Sequence, residues 1–318
     1  MTKKLLFIAV LIFCQLSYAS DKTMLRLGLL GYGTTNWELE VMRQAQQMET
    51  EAYSVQVIPM ANPQTGKIAL QSGVVDIIVA DWIWVSYQRS LGRDYTFYPY
   101  SNTTGALVVA QDSEIKTWQD LKGKRLAIAG GELDKNSLLL QALMQKQGQG
   151  GLFQEIEKVY GAPPLLTQQL KQQRVDALLT YWHHAASLQA EGYRVLMTGA
   201  DILQELGIEQ KVPSIGYVFK RAWAEQHQSV VRDFLAQSKQ IKNTLCANNA
   251  VWQSIKKLTQ AKTEQESQLL RQRYCEGRVS HWGQEEQKAA GVIFQYLKEI
   301  SQSRLTGKSE VIQEGTFW

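Results

Sequence analysis

Apolar and polar positions along the chain follow two rhythms. Short runs that alternate or are wholly apolar have the period of strands, and segments repeating every three to four residues follow them with the period of helices. Met24–Leu30 is a mostly apolar run that ends at Gly31-Tyr32-Gly33. A helix is predicted from Thr35, where Thr35 and Glu38 have capping-box spacing and Trp37, Val41, Ala45 and Met48 share one face. Tyr53–Pro59 reads as a strand, Ile68–Gln71 as a short helix, and Val74–Ala80 as a buried strand closed by Asp81-Trp82. Strands are also predicted at Ala106–Ala110 and Leu126–Ala129, and Asp134 is placed to cap a helix running to about Gln147. Val159-Tyr160 ends another strand. Leu165–Gln173 follows as a helix, Ala177–Thr180 as a strand and Tyr217–Phe219 as the last strand. Beyond Ala222 only helices are expected, at Gln228–Leu245, Val251–Leu258, Glu264–Arg273 and Glu285–Ile300. Strand-helix alternation occurs twice over and predicts an α/β chain with a helical tail. No internal repeat stands out in the residues.

Length and composition narrow this further. A chain of 318 residues is expected to form two domains, and 44% hydrophobic with 20% charged residues is globular composition, not that of a disordered or fibrous chain. The formal charge is +4, and without Lys3 and Lys4 the balance is 32 basic to 30 acidic residues. That balance lacks the basic footprint of a nucleic-acid reader.

Lys3-Lys4, the apolar run Leu5–Phe13 and the small-residue pattern Ser17-Tyr18-Ala19 have the layout of a secretory signal, with cleavage expected after Ala19. The run is too short to span the ~30 Å of a bilayer core, and Phe13 before Cys14 does not suit a lipoprotein site. Export places the mature chain, residues 20–318, where disulfides persist. Cys246 and Cys275 are then an even pair, either bonded or present as two buried thiols. A bond between them would contribute on the order of 3 kcal/mol.

In open α/β sheets, ligands bind beyond the carboxyl ends of the strands. Here those ends carry Gly31–Trp37, Asp81-Trp82, Ser101–Gly105, Gly130–Asn136, Gly161–Pro164 and Tyr181–His184. Gly131 lets backbone N–H groups approach a ligand, and Trp37, Trp82 and Trp182 offer indoles that clamp a flat ring or a cation. Any one of these features alone is ordinary loop chemistry. Their joint occurrence points to binding. Catalytic signatures are absent: there is no G-x-S-x-G, Walker loop, H-E-x-x-H or C-x-x-C. No cofactor and no metal site are expected, because His183 and His184 are adjacent and only four histidines occur.

Several stretches carry a family resemblance: IALQSGVVDIIVADWIWV (Ile68–Val85), DLKGKRLAIAGGELDK (Asp120–Lys135), VYGAPPLL (Val159–Leu166), RVDALLTYWHHAA (Arg174–Ala186) and the terminal GTFW (Gly315–Trp318). In them the chain resembles periplasmic substrate-binding proteins of ABC importers, in the group that includes nitrate, sulfonate and thiamine-precursor binders. The resemblance implies a type II periplasmic binding fold: two α/β lobes joined by two crossover strands, near Gly105–Val109 and Ile215–Phe219. Lobe one would be about residues 20–104 with 216–318, and lobe two about residues 105–215. It implies no catalysis, a small-molecule solute held between the lobes, permease subunits at the inner membrane as partners, no nucleic acid, and a monomer in the periplasm. The contacts it implies are Trp37, Asp81, Trp82, Ser101, Asn102, Asn136 and Trp182, with His183 beside them. The loops hold carboxylates but no arginine, which leans toward a cationic, neutral polar or heteroaromatic solute. Two rival readings fit less of the chain. One is an enzyme like the thiamine-pyrimidine synthases, which share the broad fold without export. The other is a periplasmic accessory protein that docks to a quinoprotein redox system.

Overall fold

The two rhythms resolve into two sheets of the same design. The computed structural model describes residues 22–31 and 33–318; the expected secretory signal, including its cleavage point, and Tyr32 lie outside the described residues. The first sheet is built from β1 (Thr23–Leu30), β2 (Tyr53–Met60), β3 (Ile77–Ala80), β4 (Tyr95–Ser101) and β10 (Ile215–Lys220), in the order β2-β1-β3-β10-β4. The second is built from β5 (Ala106–Val109), β6 (Arg125–Ala129), β7 (Glu157–Gly161), β8 (Ala177–Thr180) and β9 (Arg194–Thr198), in the order β7-β6-β8-β5-β9. In each, the first three strands are parallel and the fourth runs antiparallel to both its neighbours. That fourth strand is the one the chain reaches by crossing from the other sheet, through residues 102–105 and 206–214.

The helices between strands are α1 (Thr35–Gln44), α2 (Pro63–Ser72), α3 (Trp82–Ser90), α4 (Lys135–Lys146), α5 (Pro163–Lys171), α6 (Trp182–Ala190) and α7 (Gly199–Glu205). After β10 come α8 (Arg221–Gln226), α9 (Gln228–Ala247), α10 (Asn249–Ser254), α11 (Lys256–Thr259), α12 (Glu264–Glu276) and α13 (Gln284–Ile300). The tail is helical, as its composition predicts.

The sheets contain a repeat that sequence inspection passed over. Pro63, Val75, Asp76 and Trp82 have counterparts in Pro163, Val175, Asp176 and Trp182, each at the same place in the corresponding helix, loop or strand end. The repeat extends to a charge clamp. Asp76 accepts from the Arg26 amide at 2.9 Å and from its guanidinium, and Asp176 accepts from the Arg125 amide at 2.8 Å and its guanidinium in the same way. Each clamp fixes the register of two parallel strands through a charge-assisted fork.

Three local expectations need correcting. Thr35 and Glu38 do not form a capping box: Thr34 precedes the helix without a side-chain cap, and Glu38 turns inward. The helix predicted at Ile68–Gln71 begins at Pro63, capped by the Asn62 side chain, which accepts from Thr65 N at 2.9 Å. Strands β4 and β9 escape prediction. Pro99 and polar residues interrupt the pattern of β4, and β9 is five residues long.

Glu38 is the centre of a buried polar knot. Only 1% exposed, its carboxylate accepts from Tyr100 Oη at 2.7 Å, Tyr274 Oη at 2.5 Å and Ser238 Oγ at 2.9 Å, and Lys242 Nζ lies 3.6 Å away. Burial, with the Glu38 charge, pushes the hydroxyls of Tyr100 and Tyr274 well above their usual range, so both remain donors. The knot ties α1, β4, α9 and α12 together, and every buried charge in it has partners.

The tail is not confined to the first sheet. α12 packs on α6 and α13 on α4, and Gln145 Nε2 donates to Glu299 at 2.7 Å. One buried apolar cluster therefore runs from Ile78 and Phe97 through Ile293, Phe294 and Leu297 of α13 to Ile128, Leu139 and Leu143 around the second sheet. Cys246 and Cys275 are bonded, joining α9 to α12 across 29 residues of chain. No helix among the described residues is long and apolar enough to cross a membrane.

At two points the crossings leave no room for a side chain. A Cβ on Gly216 would run into the Tyr98 carbonyl oxygen and the Phe97 ring, and one on Gly105 would stand 2.6 Å from the Thr180 carbonyl oxygen. Gly216→Ala is therefore expected to cost at least the ~1–3 kcal/mol typical of overpacking, measured by urea denaturation; an unchanged midpoint would refute the crowding argument. Reduction of the disulfide, or Cys275→Ser, is expected to lower stability by on the order of 3 kcal/mol, read as a fall in Tm.

Candidate functional site

The loops at the carboxyl ends of the parallel strands meet across the seam between the sheets, and the first meeting is electrostatic. Asp81 caps α3, its Oδ1 accepting from Trp84 N at 2.9 Å. Its other oxygen lies 3.1 Å from Lys135 Nζ, at the start of α4 on the second sheet, and 4.0 Å from Lys67 Nζ on α2. Burial opposes the charge on Asp81, but Lys135, Lys67 and the Trp84 amide outweigh burial and hold its carboxyl below the usual range. Burial pushes the Lys67 ammonium down, and the Trp84 ring lies 5.2 Å from it. Neither lysine was singled out in the sequence. Lys135 was legible there as the residue that follows the Asp134 cap.

The second meeting is aromatic. Trp37, 5% exposed, meets Trp182 edge-on at 6.0 Å across the seam and is backed by Trp252 at 5.5 Å and Tyr274 at 5.6 Å. Edge-to-face rings at such distances attract beyond simple burial. Trp82, the repeat counterpart of Trp182, does not join them. It is 3% exposed, donates its indole N–H to Pro213 O at 3.0 Å and packs on Phe317 at 6.0 Å, which pins the return crossing.

Beside Trp182 opens a cavity of about 530 Å³, within the range of small-molecule sites. Its walls come from both halves: Asn102 and Thr104 of the first crossing, Ala185, Ala186 and Gln189 of α6, and Arg273 of α12. Arg273 supplies the arginine that the strand-end loops lack. It is held by Glu276 at 3.0 Å and Gln189 at 3.4 Å. Of the residues singled out in the sequence, Asn102 and Trp182 line this cavity, and the buried Asn102 Oδ1 has no hydrogen-bond partner.

The others stand around it in supporting positions. Asn136 Oδ1 accepts from Gly105 N at 3.2 Å, fixing the first crossing. Ser101 Oγ lies 2.9 Å from Thr103 Oγ1 and accepts from Thr103 N at 3.2 Å in the same crossing. Gly131, at φ +85°, makes the turn whose carbonyl accepts from Asp134 N at 3.1 Å. His183 is buried enough that its imidazole is pushed down to about 3, and its Nδ1 has no partner. It is a neutral hydrogen-bonding group, not a cation.

The carboxylates near the seam are individually engaged. Glu132 pairs with Arg304 at 3.0 Å, Asp81 with Lys135, and Asp134 accepts from Ser137 N at 2.9 Å as the cap of α4. Burial raises the Asp134 carboxyl to about 6.

Comparison with known proteins agrees with this architecture. The family model described as NMT1/THI5 like matches residues 97–248. A protein of Escherichia coli (strain K12), described as a candidate aliphatic sulfonates-binding protein, is 30% identical over 173 residues, or 53% of this chain and 50% of that one. The chain thus spans about half the length of this curated relative. Among solved structures, the periplasmic aliphatic sulphonate binding protein SsuA of Escherichia coli superposes with a TM-score of 0.71 at 20% identity, over 94% of this chain and 98% of that one. The alkanesulfonate-binding protein SsuA of Xanthomonas axonopodis pv. citri, bound to MOPS, gives 0.70 at 18% identity, over 94% and 99%. The fold is that of type II periplasmic binding proteins.

The titration of Asp134 gives a prediction with a definite sign. Its carboxyl takes up a proton near pH 6 when folded and near pH 4 when unfolded, so across that window the folded chain binds more protons and stability falls as pH rises. Asp134→Asn keeps a good cap and removes this penalty. The variant's Tm minus the parent's is expected to increase from pH 4 to pH 6.5. The difference is the measurement to use, because neutral His183 acts in the opposite direction in both proteins. A flat difference would refute the assignment.

Proposed function

We propose that the chain is the extracytoplasmic solute-binding component of an ABC-type importer, which captures a small organic solute between two lobes and delivers it to a membrane permease. The lobes are about residues 20–104 with 216–318, and residues 105–215. The observation that carries the reading is the cavity of about 530 Å³, lined from both halves of a molecule whose two sheets are joined by two chain crossings. The chain works as a monomer in the periplasm, reached through its N-terminal signal, and has no catalytic role.

The mechanism is reversible closure. Contacts across the seam, Asp81 with Lys135, Trp37 with Trp182 and Glu132 with Arg304, belong to the closed form. Exposed ion pairs such as Glu132–Arg304 contribute little, about 0–1 kcal/mol. A solute that touches Asn102, Trp182 and Arg273 favours closure by its differential affinity for the closed form, and the permease reads that form. Trp37, Asp81, Trp82, Ser101, Gly131, Asn136 and His183 shape or support the site around these contacts. The named ligand class of the relatives supports including aliphatic sulfonates among the solutes to be tested; in the wall Arg273 is paired with Glu276 and accompanied by Asp201 and Glu209, which supports including cations as well.

The test is thermal shift with a panel of ethanesulfonate, butanesulfonate, nitrate, choline and an aminopyrimidine, with native mass spectrometry of protein purified from its own host. A true ligand at 100 times its Kd stabilises by about 2.7 kcal/mol. Trp182→Ala is expected to weaken that ligand at least tenfold while leaving the unliganded Tm within a few degrees. No shift with any solute and no retained mass would overturn the reading.

A further inference from the structure

A second cavity, of about 260 Å³, lies between β4, β10, α9 and the connection from α12 to α13, separated from the first by the backbone at Gly277 and Arg278, where Asn102 Nδ2 donates to Arg278 O at 3.1 Å. Its charge is one-sided. Lys239 and Lys242 stand three residues apart on α9 and so share a face, and Arg278 closes the rim. No acidic side chain lines it. Lys239 forms no salt bridge among the described residues, and Arg278 donates only to neutral oxygens, Cys275 O at 3.2 Å and Asn243 Oδ1 at 3.4 Å. Lys242 reaches Tyr100 O at 2.7 Å, while its counter-charge Glu38 lies 3.6 Å away on the core side and is already shared with three hydroxyls. Glu286, outside the lining, lies 3.6 Å from His281 at the rim.

The walls are flat and aromatic: Tyr98, Trp282 and Trp318. The Trp282 indole N–H is buried and has no acceptor. Cations with no acidic side chain among them and ring faces together specify a negative group on a flat apolar body. The volume admits a single ring and not a drug-sized molecule.

We propose that this pocket is a second ligand site that binds a small aromatic carboxylate, with the carboxylate set between Lys239 and Arg278 and the ring against Tyr98 and Trp318. The site does not depend on the solute reading given above, because it shares no lining residue with the seam cavity.

The probe is 4-fluorobenzoate, followed by fluorine NMR line broadening against the full mature chain, with 4-fluorobenzamide as its neutral counterpart. The benzoate is expected to broaden and the benzamide to stay sharp. Lys239→Ala with Arg278→Ala, both on exposed positions, is expected to lower benzoate affinity at least tenfold, and Lys239→Glu alone to lower it as well should the double variant melt early. Trp182→Ala in the other cavity is expected to leave it unchanged. Absence of broadening, equal broadening by the benzamide, wild-type affinity in the charge variants, or loss of binding in Trp182→Ala would each overturn the proposal.

Discussion

Each sheet of this molecule is completed by a strand that the chain delivers from the other sheet, and both deliveries pass through a place where only hydrogen fits. At Gly105 the backbone approaches the Thr180 carbonyl and donates its N–H to the Asn136 side chain, its anchor; at Gly216 it lies against Tyr98 and the Phe97 ring. Close backbone approach of this kind is what glycine makes available and every other residue obstructs. The antiparallel strands β5 and β10 sit where they do because of it. The cavity beside the first crossing inherits its shape from the same constraint, since Asn102 and Thr104 are both crossing and wall.

Around that frame the charges are arranged by depth. Deep in the first half, Glu38 has three hydroxyl donors and an ammonium, and none of its oxygens is left to water. At the seam two ion pairs join the halves: Asp81 with Lys135 is largely buried on its carboxylate side, and Glu132 with Arg304 is open to solvent. Buried networks that lack a partner are costly, whereas half-exposed pairs are cheap to break and remake. The fully satisfied network therefore holds the fold, and the exposed Glu132–Arg304 pair adds little across the seam.

Much of the fold was legible in the residues. The alternation of strand and helix, the Asp134 cap, the buried strand Ala177–Thr180 and the helical tail all follow from period and capping chemistry. What escaped did so for identifiable reasons. β4 carries Pro99 and alternates weakly because side chains on both of its faces are largely buried. The repeat linking Val75-Asp76 to Val175-Asp176 keeps only the residues that geometry demands, so the intervening sequence hides it. Of the candidate site, the tryptophans were visible but their partners were not. Trp37 and Trp182 meet while Trp82 turns to Pro213, a choice made by packing against Phe317 and not by local sequence. Lys67 and Lys135 sit on helices and converge on Asp81, and Arg273 on a third helix reaches the cavity wall; both placements are tertiary facts.

The last residues have a consequence for how copies of the molecule meet one another. Phe97 N donates to Thr316 O at 2.8 Å and Trp318 N to Phe97 O at 2.9 Å, so the chain lays its own end along the outermost strand of the first sheet. An uncovered strand there would offer a row of unpaired amides and carbonyls to any neighbour of similar pattern. By pairing with Phe97, the segment 316–318 takes that residue's outward amide and carbonyl out of reach of any neighbouring strand.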